Sequence, residues 1–199
     1  MLPQTQLKVL LIGDSCIDEY ETITKTRYID EKYNQQLLRV DDEPDLKPIE
    51  YKIPDEKFDA LVISDYNKGF LTTDKIVEFT KSFDGPVFID TKKNKLPEID
   101  AYVKINEHEY KNFESTTKNL IVTRGSKGCE YMGKLYPAEK VNVFDVVGAG
   151  DTFLSALVYF YLTLGEIEKS IPLANKAASI AVSNFGTYAL KPQDIQKLL

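Results

Sequence analysis

The stretch that decides the reading is Asp145-Val146-Val147-Gly148-Ala149-Gly150-Asp151-Thr152-Phe153. Glycines flank Ala149, an acid follows, and a long apolar run occupies 153–164. That run reads as a buried helix. Its start is then a turn with free backbone N–H groups, few side chains in the way, and the positive end of a helix dipole. Such a turn binds an anion, most often phosphate. An aspartate in the first helical turn beside that anion can take a proton from a hydroxyl. Phosphoryl transfer needs this pair, a cradle for developing charge and a base for the attacking oxygen.

Working outward, apolar runs of strand length alternate with helical patterns. Val9-Leu10-Leu11-Ile12-Gly13 ends at Asp14, Ala60-Leu61-Val62-Ile63-Ser64 at Asp65, and Val87-Phe88-Ile89 at Asp90. Tyr102-Val103-Lys104-Ile105 ends at Asn106, and Leu120-Ile121-Val122-Thr123 at Arg124. Continuous Val, Ile and Leu runs closed by polar residues predict parallel strands buried on both faces. With helices expected at 73–83, 153–164 and 170–185, the fold class is α/β, a doubly wound, mostly parallel sheet. Ligands in such sheets bind beyond the carboxyl ends of the strands, where these polar residues fall. Residues 129–136 predict a hairpin. For the helix at 170–185, Pro172 marks the start and Gly186 the stop. Residues 22–54 are polar and weakly alternating, and predict one or two strands outside the main sheet followed by an acidic loop.

A chain of 199 residues, 43% hydrophobic and 28% charged, supports one sizeable core, taken as a single domain over 1–199, and excludes a disordered class. No apolar run approaches the ~18 residues of a spanning helix. No signal-like start is present, so a cytoplasmic location and no membrane partner are expected. A net charge of −6 disfavours nucleic-acid binding, but a nucleotide can be held by backbone N–H groups and one or two lysines. Cys16 and Cys129 are too few for a disulfide framework or a thiolate metal site.

The nonapeptide resembles the signature of the ribokinase (PfkB) family of carbohydrate kinases. Further stretches are similar to the heptose-7-phosphate kinase branch: Gly13-Asp14-Ser15-Cys16-Ile17-Asp18, Thr26-Arg27, Gln35-Gln36-Leu37-Leu38-Arg39, and Ser64-Asp65-Tyr66-Asn67-Lys68-Gly69. The resemblance implies a ribokinase-like fold with 22–54 as a small β lid, and ATP with Mg²⁺ as cofactors. It implies that Asp151 is the catalytic base and that Gly148, Ala149 and Gly150 form the anion hole. It assigns Lys92, Asn106, Thr123, Gly125, Gly128 and Asn175 to the nucleotide. Glu109, in Asn106-Glu107-His108-Glu109, belongs to the metal–phosphate network. Asp14, Asp18, Arg27 and Lys68 fall to the sugar or sugar phosphate.

One departure stands beside the match. Family members carry a Gly-Gly…Asn motif, a helix and more sheet after the first strand, whereas this chain passes from Tyr20 almost directly into Thr26-Arg27. The sugar half is therefore incomplete. A second subunit could complete it, with lid-like strands pairing in a homodimer. Alternatively the substrate is smaller or differently held, or the chain is a nucleotide-binding regulatory module that has lost efficient transfer.

Overall fold

A computed structural model describes residues 7–13, 24–30, 32–33, 35–42 and 46–198. The central sheet has the order β1-β4-β5-β6-β7-β8-β9. Its strands are β1 (Val9–Gly13), β4 (Ala60–Asp65), β5 (Val87–Thr91), β6 (Tyr102–Asn106), β7 (Leu120–Thr123), β8 (Cys129–Tyr131) and β9 (Lys134–Tyr136). The first five run parallel, as the continuous apolar runs predict. The last two form the expected antiparallel hairpin. Its turn, Met132-Gly133, has φ of 50° and 75°, the left-handed pair that closes a two-residue hairpin. A separate antiparallel pair, β2 (Thr24–Asp30) with β3 (Gln35–Asp42), comes from the segment read as lid-like.

Helices cover both faces of the sheet over β4 to β7, whereas β1, expected from its apolar run to be buried on both faces, is an edge strand that leaves Val9 39% and Leu11 62% exposed. On one side α1 (Thr73–Ser82) buries Ile76 and Phe79 against Leu61, Ile63 and Ile89. Thr72 caps its start by accepting the Lys75 N–H at 3.2 Å. On the other side lie α3 (Ala149–Leu164), α4 (Ile167–Val182) and α5 (Pro192–Leu198). Ala174, Ala177 and Ala181 are buried on α4, and small side chains there let α3 pack close. An aromatic triad fixes α3 to the sheet. Phe88 stacks on Tyr102 at 5.1 Å, and Tyr161 meets both edge-on at 5.4 and 5.2 Å. Each such pair adds about 0.5–1.5 kcal/mol beyond its buried area. This anchoring sets where the start of α3 stands over the strand ends.

Two boundaries differ from the sequence reading. Helix α4 begins at Ile167, so Pro172 sits in its second turn rather than at its start. The helix ends at Val182, before Gly186. Ser183 Oγ donates to Ser179 O at 2.8 Å and Asn184 Nδ2 to Ile180 O at 2.8 Å, so side chains satisfy the last carbonyls. Gly186, at φ 72°, belongs to the following turn. Cys129 is buried and free, and burial pushes its thiol up to about 12, against a hydrogen bond with Asn175. Cys16 lies outside the described residues.

Candidate active site

The carboxyl ends of β4, β5, β6 and β7 open toward the start of α3. Gly148 caps that helix at φ 77°, a conformation that favours glycine. Before it, Asp145 Oδ1 accepts the Val147 N–H at 2.9 Å and shapes the approach. Ala149 N donates to Val146 O at 3.3 Å, and Thr152 N to Gly148 O at 2.9 Å. The N–H groups of Gly150 and Asp151 have no acceptor among the described residues, so the turn offers two donors at the positive end of α3. The Asp151 side chain is exposed beside them.

Beneath this cradle lies a lysine that sequence reasoning passed over. Lys104 is in the middle of β6, between fully buried Val103 and Ile105, and is itself only 5% exposed. Its Nζ stands 2.5 Å from Asp90 Oδ2, and a Cβ on Gly150 would come within 2.9 Å of it. A side chain at position 150 would therefore have to displace the end of the Lys104 side chain from its place beside Asp90. Burial pushes the Asp90 carboxyl up, and the Lys104 charge pulls it back without cancelling the rise. Asp90 Oδ1 is buried with no hydrogen-bond partner among the described residues. The signal was in the sequence: a lysine inside a run of strand-forming apolar residues needs a partner when buried.

A neighbouring group joins β5 to β6. Lys92 pairs with Glu109 Oε1, and Glu109 Oε2 accepts the Asn106 N–H at 2.7 Å. Asn106 Oδ1 accepts the N–H groups of His108 and Glu109, both at 2.9 Å. Asn106 and Glu109 thus form a capping box on the short α2 (Glu107–Tyr110), which fixes the Glu109 carboxylate between the two strand ends. Burial works against the Lys92 charge, but the Glu109 hydrogen bond and charge, with Asp90, lift its pKa above the ordinary lysine value. His108 is exposed. Among the described residues no cluster of three His, Cys, Asp or Glu side chains is placed to hold a metal. Asp90 and Glu109 are the carboxylates nearest the cradle's lysines.

Beyond the cradle a cavity of about 330 Å³ runs along α4. Thr123, Gly125, Gly128, Gly150, Asn175 and Ala178 all line it, so the structure brings the sequence-assigned nucleotide residues other than Lys92 and Asn106 to one pocket. The loop after β7 is held by Arg124 N to Gly128 O at 2.7 Å and Gly128 N to Gly125 O at 3.0 Å. Gly128 has φ 97°, and a Cβ there would stand 2.0 Å from Tyr136 O. Asn175 Nδ2 donates to Tyr136 O at 2.8 Å, tying the pocket wall to β9. Arg124 is committed elsewhere, to Glu107 at 3.0 Å and Glu130 at 2.9 Å.

Of the residues assigned to the sugar by sequence, Arg27 is exposed on β2 and Lys68 is half-buried in the loop after β4. Asp14 and Asp18 lie outside the described residues. The sheet register places Arg27 directly opposite Arg39, and Lys25 opposite Asp41. One face of the lid-like pair is therefore basic, while Tyr28, Leu38 and Val40 share the other. Like charges opposite one another are unfavourable in a two-stranded ribbon unless something anionic joins them. Here Asp41 Oδ1 accepts from Arg39 Nε at 2.8 Å and offsets part of the repulsion.

The family model for pfkB family carbohydrate kinases matches residues 92–194, the segment that holds the cradle and the nucleotide-side residues. The chain belongs to the pfkB family of carbohydrate kinases. It is 31% identical to the bifunctional protein HldE of Campylobacter jejuni (strain RM1221) over 201 residues, covering 82% of this chain and 43% of that protein. The corresponding protein of Hydrogenovibrio crunogenus is also 31% identical, over 217 residues, covering 91% and 44%. The chain thus spans less than half the length of these relatives. Both aligned stretches exceed the 199 residues of this chain, so the relatives carry internal residues that have no counterpart here. In fold it is similar to ribokinase from Thermotoga maritima, with TM-score 0.66 and 18% identity, over 89% of this chain and 69% of that one. Arabidopsis thaliana ribokinase complexed with ribose and ATP gives 0.65 and 17%, with the same coverage.

Proposed function

We propose that this chain is an ATP-dependent phosphotransferase acting on a hydroxyl of a sugar phosphate, of the heptose-7-phosphate kinase type. The observation that carries the proposal is that the start of α3, which offers the Gly150 and Asp151 N–H donors and the exposed Asp151, also contributes Ala149 and Gly150 to the lining of the cavity along α4. Adenine would occupy the cavity between Ala178 and the β7 loop, with the phosphates running toward the cradle. The N–H donors and the positive end of α3 would stabilise charge on the transferring group. Asp151 would take the proton of the acceptor hydroxyl as its oxygen attacks. Lys104, held at 2.5 Å from Asp90, would put a fixed positive charge behind the cradle.

The donor set fits magnesium, a hard cation that keeps several waters and needs only one or two carboxylates besides phosphate oxygens. Glu109, whose carboxylate stands at the end of β6, is the residue that would hold it through water. When bound, the ion neutralises charge between adjacent phosphates.

The basic face of the lid favours an acceptor that already carries a phosphate. Arg27 and Arg39 stand opposite one another on it, and Asp41 pairs with Arg39. In this reading 1–199 is one catalytic unit with 22–54 as its lid, in a cytoplasmic setting where ATP is supplied. Incubation with ATP, magnesium and a panel of heptose, hexose and pentose phosphates tests it. ADP release with one acceptor and not others is the expected outcome. Tight ATP binding with no release across the panel would favour a regulatory nucleotide-binding module instead.

The opposite, apolar face of the lid supports a homodimer, with Tyr28 54%, Leu38 54% and Val40 48% exposed. Pairing of two lids would cover that face and the open strand edges together. Light scattering is expected to return twice the monomer mass, and a monomer at assay concentration would remove this assembly.

A further inference from the structure

The sequence places Arg124 among the polar residues at the ligand-binding edge of the sheet. In the structure its guanidinium is taken up by the protein instead. Nε and Nη2 donate to Glu130 Oε2 at 3.1 and 2.9 Å, and Nη1 donates to Glu107 Oε1 at 3.0 Å. The group also lies over the Tyr110 ring, 5.6 Å from its centroid. Glu130 is on β8, and Glu107 and Tyr110 are the two ends of α2. One side chain, 19% exposed, thus joins the end of β7 to two other elements. Lys127 Nζ stands 3.7 Å from Glu107 as well, but it is 67% exposed, and an exposed pair of that kind contributes little.

What this clamp holds is the loop that follows. Residues Gly125–Lys127 form one tight turn, closed by Lys127 N to Arg124 O at 3.2 Å and Gly128 N to Gly125 O at 3.0 Å. The far end of the turn is fixed, because Gly128 packs against the backbone of Tyr136 and Pro137. The tip is not packed. Gly125 and Ser126 are exposed, and no atom lies within 4 Å of where a Gly125 Cβ would stand. Gly125, Ser126 and Gly128 nevertheless line the cavity along α4. A short turn with an open tip takes its shape from its two ends, and Arg124 is one of them.

We infer that Arg124 is a positioning residue for the nucleotide: by tying the β7 loop to Glu107 of α2 and Glu130 of β8, it keeps the cavity wall at Gly125 and Ser126 in its binding shape before the ligand arrives. This rests on the nucleotide reading of the cavity given above. A loop that must be ordered at the moment of binding costs affinity, and a loop already held avoids that cost.

The test uses Arg124→Lys, which keeps the charge but replaces a planar fork by one ammonium that cannot bridge both carboxylates in the same geometry. Calorimetric titration with ATP, without acceptor, is expected to give a Kd raised roughly 5–30-fold at unchanged stoichiometry. Glu107→Gln weakens only the link to α2, and its Kd is expected to rise roughly 2–5-fold. Combining the two should weaken binding by less than the product of the separate effects, since both cut one clamp. In the transfer assay the loss should fall on the ATP KM, with kcat at saturating ATP within about twofold of wild type. An Arg124→Lys Kd within about twofold of wild type would overturn the assignment, and so would a falling stoichiometry with Kd unchanged, which marks general damage to the fold. Fully multiplicative losses in the double variant would overturn the joint clamp. The kinase reading would stand in each of those cases, whereas wild-type protein that binds no ATP would overturn both together.

Discussion

Asp151→Asn is expected to lower phosphoryl transfer by ~10²–10⁴-fold, the range seen when a positioned base is removed. Asparagine keeps the shape of the side chain and cannot accept the proton. The substitution should not disturb the fold, because the Asp151 side chain is exposed and its backbone carbonyl, which accepts the Ser155 hydroxyl at 2.8 Å, is unchanged. An acid in the first turn of a helix contributes about 0.3–1 kcal/mol through the dipole, and that is the expected stability loss. ATP affinity should be retained or improved, since a negative charge next to the terminal phosphate is gone. Single-turnover transfer and calorimetric ATP binding on the same preparation separate the two quantities. Unchanged turnover would reject Asp151 as the base, and lost ATP binding would place it in nucleotide recognition instead.

The second large effect concerns stability. Lys104→Met is expected to cost about 3–5 kcal/mol, because it leaves the Asp90 carboxylate buried without its partner. Methionine fills much of the lysine stem, so the loss comes from the missing charge more than from a void. The sign of the pH dependence follows from the direction of the Asp90 shift. Its folded pKa is already raised by burial, and removing Lys104 raises it further. A carboxyl with a raised folded pKa favours the native state at low pH and loses that contribution as pH rises through the folded value. The deficit of the variant should therefore shrink as pH is lowered through the folded value of Asp90, read by urea unfolding at a series of pH values. Adding Asp90→Asn should recover most of the loss, since two neutral groups of similar size replace the buried pair. A Lys104→Met protein within about 1 kcal/mol of wild type, the range of an exposed pair, would show that the ion pair is not buried in solution.

Much of this architecture was legible in the sequence because parallel strands covered on both faces must be continuously apolar. Val87-Phe88-Ile89 and Leu120-Ile121-Val122 could hardly be anything else. The turn before α3 was legible for a related reason: small residues before an apolar helix leave its first backbone N–H groups uncovered. The boundaries of α4 were not. Pro172 suits a helix start, but the helix already runs from Ile167, and Ser170 and Ile171 are buried ahead of the proline. Partners distant in sequence were hidden as well. That Asn175 reaches Tyr136 O, and that Arg27 faces Arg39, depend on how α4 lies on β9 and on the register shift between Tyr28 and Ile29. Lys104 could have been noticed, since an ammonium amid β-branched neighbours implies a hidden counter-charge, though only the fold reveals that it fills the hollow under Gly150.

That hollow constrains how the loop can be altered. A methyl group at position 150 would push on the end of the Lys104 side chain, and an uncharged residue at 104 strands the acid at 90. The three positions are therefore coupled, and a mutant library at this turn gains by varying them as a set, since a change at one alters what the other two must accommodate.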